Sequence, residues 1–265
     1  MDTHRKITVH RRCTCAWALL ALSYLTAGDL HAQVIEKLDI PYVTDGGHKQ
    51  QLDLFLPEGE GFPTLMLVHG GSLEVGDRKD TSEPYGEIAR TFAKQGIACA
   101  AISYRLFKTV DWPEPAEDVA AAFSWLHSNI EQYGGKTDRL FILGHSSGCT
   151  LATLVAGDKR FLAKHGLSAK NIGGVLAMGA RLNFDATELF EGQDEAGIQQ
   201  WFKEDRWAAN FGSVEVLKSF RPMAHVGPHL PPMLVLIAEA ERFKPPILHD
   251  AATYVGAARD AGVDA

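Results

Sequence analysis

The feature that most constrains this chain is a series of five continuous apolar runs, each ending in a polar or glycine-rich turn: "TLMLVHGG", "IACAAISYR", "RLFILGHS", "GGVLAMGA" and "MLVLIAE". A strand covered on both faces reads as such an uninterrupted run, whereas a half-exposed strand alternates apolar and polar residues. Helical stretches separate the runs. "EPYGEIARTFAKQ" is closed by Gly96, and "EPAEDVAAAFSWLHSNIEQYG" has Pro115 near its start and Gly134 after its end. Val119, Phe123, Leu126 and Ile130 recur on one face of the latter and mark it as core-facing. "SSGCTLATLVA" and "PPILHDAATYVGAARDAG" supply two further helices. Two earlier segments, "VIEKLDIPYV" and "KQQLDLFLP", alternate and predict half-exposed antiparallel strands at a sheet edge. Strands that alternate with helices predict an α/β fold, with a mainly parallel sheet and helices on both faces.

Two regions break this rhythm. From Asn183 to Pro232 no strand is evident, and the segment is rich in charged and aromatic residues, among them Phe184, Phe190, Trp201, Phe202, Trp207 and Phe211. It predicts a largely helical lid insertion over about 183–232, whose aromatics either line a pocket or fasten the insertion to the domain. The first 32 residues pair a basic start (Arg5, Lys6, Arg11, Arg12) with about a dozen apolar residues and end in Leu30-His31-Ala32. That is the pattern of a secretory signal peptide, with cleavage expected before Gln33 and the product secreted or periplasmic. The apolar run falls short of the ~20 residues a membrane span needs.

Residues 33–265 then form the folded domain, with 22 basic against 31 acidic residues, a net charge of −9. This balance argues against nucleic acid or an anionic membrane surface as partner. Only Cys99 and Cys149 remain outside the leader. Both sit in apolar surroundings, so each reads as a small buried hydrophobe rather than half of a bridge. His and Cys never cluster at ligand spacing, so no metal or organic cofactor is expected. Oligomeric state is not legible.

The third run leads into Gly144-His145-Ser146-Ser147-Gly148, a G-x-S-x-G pattern between a buried strand and a helix. In that setting the serine backbone is forced into a tight turn that pushes its hydroxyl out at the strand's C-terminal end. The helix N-terminus behind it offers free N–H groups to a developing oxyanion. His145 would point away from Ser146 in such a turn. A second signal lies at the end of the first run: in His69-Gly70-Gly71-Ser72 the glycines leave backbone N–H groups free for the same purpose. Ser146 is therefore a candidate nucleophile, with an ordinary turn serine as the competing reading.

Together with "QLDLFLP", "SYRL", "EPAEDVAAAFSWL" and "PPMLVLIAEAE", these motifs resemble the α/β-hydrolase family from about Leu38 onward. The nearest branch comprises small bacterial carboxylesterases, feruloyl-esterase-like proteins and hormone-sensitive-lipase relatives. The resemblance implies Ser146 as nucleophile and an oxyanion hole from the N–H groups of Ser147, Gly71 and Ser72. It also implies a carboxylate after the strand "MLVLIAE", on Glu241 or, two residues earlier, Glu239. Ser72 and Leu73 depart from the family's usual glycine or aromatic, and aromatic, at those positions; this leaves the backbone role intact but alters the rim of the pocket.

The resemblance further implies a histidine one helix and one strand after the acid. No histidine follows His249. His225 and His229 precede the acid-bearing strand, ~20 Å from its other end. His249 begins the following helix, His69 belongs to the oxyanion turn, and His127 and His165 read as surface or cap residues. The expectation is thus an α/β-hydrolase domain whose last strand and helix, with the catalytic histidine, lie beyond residue 265. Two functions compete: a hydrolase of carboxylic esters, or of small amides such as arylformamides, acting through an acyl-enzyme on Ser146; and a non-catalytic binding protein on the same fold.

Overall fold

The computed structural model describes residues 33–179, 181–183, 194–238 and 244–265. The expected leader and two lid aromatics, Phe184 and Phe190, lie outside them. Seven strands form one mixed sheet among these residues: β1 (Ile35–Pro41), β2 (Gln51–Leu56), β3 (Phe62–Val68), β4 (Ala98–Ile102), β5 (Gly135–His145), β6 (Gly174–Met178) and β7 (Met233–Leu236). Their order is β1-β2-β4-β3-β5-β6-β7. β2 runs antiparallel to both β1 and β4, and every other neighbouring pair is parallel. The five apolar runs are the five parallel strands, as their pattern predicts.

Alternate residues of the central strands feed two cores. Leu65 and Leu67 of β3 pack with Tyr85, Ala89 and Ala93 of α1 (Tyr85–Lys94) on one face. Met66 and Val68 join the larger cluster on the other, which takes in α2 (Glu114–Asn129), α3 (Ser147–Gly157) and α7 (Lys244–Asp260). Val119, Phe123, Leu126 and Ile130 are at most 1% exposed, the core face their spacing predicts. Cys99 and Cys149 are free and buried. No described helix is long and apolar enough to cross a membrane.

One expectation needs correction. β1 is exposed along nearly its whole length, but β2 is buried rather than half-exposed. β2 is not an edge strand: it lies between β1 and β4, with Leu52, Leu54 and Leu56 in one core and Phe55 in the other. Its polar residue Asp53 is kept inside by an ion pair to Arg78 at 3.0 Å, so alternation survives in the sequence without solvent on either face.

The insertion is helical where described: α5 (Glu195–Glu204), α6 (Val214–Ser219) and two 3-10 turns at Ala208–Phe211 and Pro222–His225. The short α4 (Lys159–Ala163) lies beneath it, where Trp112, Phe161, Phe211 and Phe220 form a cluster of edge-on and tilted rings. Those aromatics fasten the insertion to the domain. β7 forms the far edge of the sheet, its Leu234 and Leu236 each 42% exposed. The N–H of its first residue, Met233, donates to the Asp264 carbonyl at 2.8 Å.

From β3 the chain proceeds to β4 on one side, while from β5 it proceeds to β6 and β7 on the other. Such a reversal opens a crevice at the C-terminal ends of the two strands, the usual ligand position in open α/β sheets. Val68 pairs with Gly144, so the turns that follow β3 and β5 start level with each other.

Candidate active site

Ser146 occupies the turn between β5 and α3 with φ 51° and ψ −125°. A side chain rarely tolerates this left-handed region, which costs on the order of 1–3 kcal/mol and persists only where packing enforces it. The enforcement is visible. The Ser146 N–H donates to the Met178 carbonyl of β6 at 2.8 Å, and its own carbonyl accepts from Cys149 N–H at 2.9 Å. Behind it, a Cβ on Gly148 would lie 2.3 Å from the carbonyl oxygens of both Val68 and His69. Only glycine lets α3 press this closely on the end of β3.

The turn after β3 closes on the same place. A Cβ on Gly70 would sit 3.0 Å from Cβ of Ser146, which places this turn directly against the serine. Gly71 has φ 108° and would drive a Cβ to 2.1 Å from the Val75 carbonyl oxygen. Ser72 and Leu73 follow at φ 55° and 64°. Glu74 and Val75 return their N–H groups to the Gly71 carbonyl, whereas the N–H groups of Gly71 and Ser72 donate to no partner among the described residues. Ser147 is the first residue of α3 and has no side-chain cap, so its N–H points out of the helix N-terminus unpaired by the helix. Two elements with unused donors, the turn after β3 and the start of α3, thus lie against Ser146.

Glu241 and Glu239, the two acid candidates, lie outside the described residues. The histidines can be placed. His225 Nε2 lies 2.9 Å from the Ser219 carbonyl, and His229 Nε2 2.8 Å from that of Gly157, the last residue of α3. An eleven-residue helix is about 16 Å long, so His229 is engaged at the wrong end of α3. His249 is exposed on α7, and His127 pairs with Asn171 at 3.2 Å. His69 is 1% exposed, stacks on Tyr104 with ring centroids 4.2 Å apart, and donates from Nδ1 to the Gly70 carbonyl at 2.7 Å. Its Nε2 has no partner, and burial pushes its pKa down to about 4. This is a neutral ring fixing its own loop. His145 turns to Tyr85 and Glu83, at 3.1 and 3.5 Å from Nδ1. None of these rings stands as a base for Ser146.

Sequence reading missed several neighbours. Arg78, with a fully buried side chain, holds the loop after β3 to the sheet through Asp53, Asp39, Gln51, Ser103 and the His48 carbonyl. The insertion reaches the turn after β3 through Trp207, whose Nε1–H donates to the Ser72 carbonyl at 3.2 Å, and through an Arg206–Glu74 ion pair at 3.8 Å. A cavity of about 280 Å³ lined by Glu74, Phe107, Lys108, Arg206 and Asn210 opens on that side of the turn; Ser146 does not line it. Among the described residues no three His, Cys, Asp or Glu side chains gather as metal ligands.

A strained serine between a central parallel strand and a helix, in this strand order, defines the α/β-hydrolase class. Within it the chain belongs to the BD-FAE family, whose model matches residues 52–246. It is 28% identical over 232 residues to esterase LipQ of Mycobacterium tuberculosis, covering 84% of this chain and 53% of that protein. It is 25% identical over 241 residues to versiconal hemiacetal acetate esterase of Dothistroma septosporum, covering 86% of this chain and 70% of that one. The chain thus spans about half the length of the mycobacterial relative. In fold it is similar to esterase B from Lactobacillus rhamnosis, with a TM-score of 0.68 at 21% identity over 93% of this chain and 78% of that one.

Proposed function

We propose that this chain is a carboxylic ester hydrolase that works through an acyl-enzyme on Ser146. One observation carries the reading: the left-handed Ser146 turn is packed against the His69–Leu73 turn, with the unpaired N–H groups of Gly71, Ser72 and Ser147 gathered there. In this mechanism Ser146 Oγ attacks the ester carbonyl carbon and loses its proton to an imidazole, and the carbonyl oxygen takes up negative charge facing those N–H groups. Collapse of the intermediate expels the alcohol, which recovers the proton, and water then releases the acid by the same route. Glu241, or Glu239, is assigned as the carboxylate that orients the imidazole.

The imidazole is not assigned to a described residue: the rings of His69, His127, His145, His225 and His229 hydrogen-bond to groups other than Ser146. Membership of the BD-FAE family and the esterase relatives support small carboxylic esters as the substrate class. Export with removal of residues 1–32 belongs to the same proposal and is checked by N-terminal sequencing of protein recovered outside the cytoplasm.

The test uses the full-length protein, with a fluorophosphonate label and p-nitrophenyl acetate. Wild type is expected to label at Ser146 and turn over, with Ser146→Ala reduced to background. Wild-type protein that neither labels nor exceeds Ser146→Ala in turnover would favour a non-catalytic binding protein.

A further inference from the structure

The loop that carries the expected oxyanion donors is held at a single peptide unit from two directions. The Gly70 N–H donates to the hydroxyl oxygen of Tyr85 at 2.9 Å, and the hydroxyl of Tyr104 donates to the His69 carbonyl at 3.0 Å. These are the two polar ends of one peptide bond. Each tyrosine is held independently: Tyr85 opens α1, while Tyr104 follows β4, where the next residue, Arg105, donates its N–H and guanidinium to Asp118 of α2 at 2.8–2.9 Å. Both rings are buried, at 3% and 0% exposure, and burial pushes both phenols up in pKa, so each stays protonated.

Proton bookkeeping fixes the direction of the bonds at Tyr85. Tyr85 has one proton and gives it to Glu83, so its oxygen is left to accept from Gly70 N–H. The remaining neighbour, His145 Nδ1 at 3.1 Å, must then carry a hydrogen as well. Tyr85 thereby ties the turn after β3 to the residue that precedes Ser146. From the other side, Gly148 of α3 leaves the His69 carbonyl just enough room. The two peptides that follow carry the unpaired N–H groups of Gly71 and Ser72, so a rotation of the His69–Gly70 plane reorients them relative to Ser146.

We propose that Tyr85 and Tyr104 are positioning residues that clamp the His69–Gly70 peptide and so aim the Gly71 and Ser72 N–H groups at the carbonyl oxygen of an ester bound at Ser146. This rests on the reading of Ser146 as a nucleophile, but the clamp can be measured without turnover. The experiment compares Tyr85→Phe and Tyr104→Phe with wild type in the full-length protein, reading amide hydrogen exchange over residues 66–73, thermal unfolding, and kcat and KM on p-nitrophenyl butyrate. Tyr133→Phe, which alters a half-buried tyrosine packed on Trp125, is the control.

Tyr85→Phe is expected to speed exchange at Gly70 by about 10-fold, the scale of one lost hydrogen bond. Each variant is expected to lower kcat about 10-fold with KM within about 2-fold, less than the ~10²–10³ lost when an oxyanion donor itself is removed. Wild-type exchange and wild-type kcat in both variants would overturn the clamp, as would equal losses in kcat and KM accompanied by a collapse in melting temperature. Should Tyr85→Phe fail to fold, Glu83→Gln at its half-exposed position weakens the same link, and an unchanged kcat there overturns the role of Tyr85. Failure of Ser146→Ala to abolish activity would defeat the nucleophile while the exchange readout still decides the clamp.

Discussion

At the scale of single residues, the site is organised by exclusion as much as by attraction. His69 illustrates this. Its ring is buried against Tyr104, with Nδ1 spent on Gly70 and Nε2 left without a partner, so a proton added there is a buried charge with no hydrogen-bond acceptor, and desolvation outweighs the attraction of Asp77 and Glu83. The unfolded chain binds that proton near pH 6.5, the folded chain only near 4. The native form is therefore favoured above pH 6.5, and this contribution is lost as pH falls from 6.5 to 4. The gap corresponds to about 3 kcal/mol. Urea unfolding across that range should show wild type losing stability more steeply than His69→Asn by about that amount; parallel pH profiles would show that His69 is not the group responsible. Since the ring belongs to the turn after β3, the same protonation should loosen that turn before the protein as a whole unfolds.

At the scale of elements, the strands are joined to the loop after β3 by a charged network centred on a buried arginine. Arg78 has no exposed side-chain surface and donates to groups from β1, β2, the loop before β2 and the residue after β4. Around it Lys79 reaches Asp39 at 2.6 Å and Lys49 reaches Asp77 at 2.8 Å. Those outer pairs are partly exposed and contribute little. The inner pair differs: removing Arg78 leaves Asp53, 5% exposed in its side chain, with only the Asp39 N–H at 2.7 Å and a half-exposed Lys79 ammonium 4.0 Å away to compensate its charge. Arg78→Met should accordingly destabilise the fold by about 3–5 kcal/mol in urea titration, and Arg78→Lys should not restore it, since an ammonium cannot meet a forked set of acceptors. A loss under ~1 kcal/mol for either variant would contradict this account.

At the scale of the whole molecule, cover is uneven. The cores on the two faces meet at β3 and β5, but on the α1 side Leu176 and Met178 of β6 are only partly buried, and Leu234 and Leu236 of β7 lie open. Exposed apolar side chains on an edge strand, beside unpaired backbone groups, favour pairing with another chain. Leu234→Ser with Leu236→Ser should reduce self-association of the 33–265 chain in light scattering while shifting its melting temperature little. Unchanged association would place the sticky surface elsewhere.

The sequence by itself determined the strands, the helices and the two turns, because each depends on short-range physics. Uninterrupted apolar runs need cover on both faces, and glycines sit where backbones meet within van der Waals contact. Hence the parallel strands, the four regular helices, the helical insertion and the Ser146 and His69–Ser72 turns were all legible. Pairing across the chain was not. Alternation in "QLDLFLP" looks the same whether Asp53 meets water or Arg78, 25 residues away, so β2 reads as half-exposed and folds as buried. Nor could spacing reveal that Tyr85 and Tyr104 approach one peptide from opposite ends, or that the lid's Trp207 reaches Ser72 across 135 residues. Local geometry is encoded in neighbours along the chain; the setting of the turn after β3 is a property of strand order, which brings distant residues within hydrogen-bond range only once the sheet has formed.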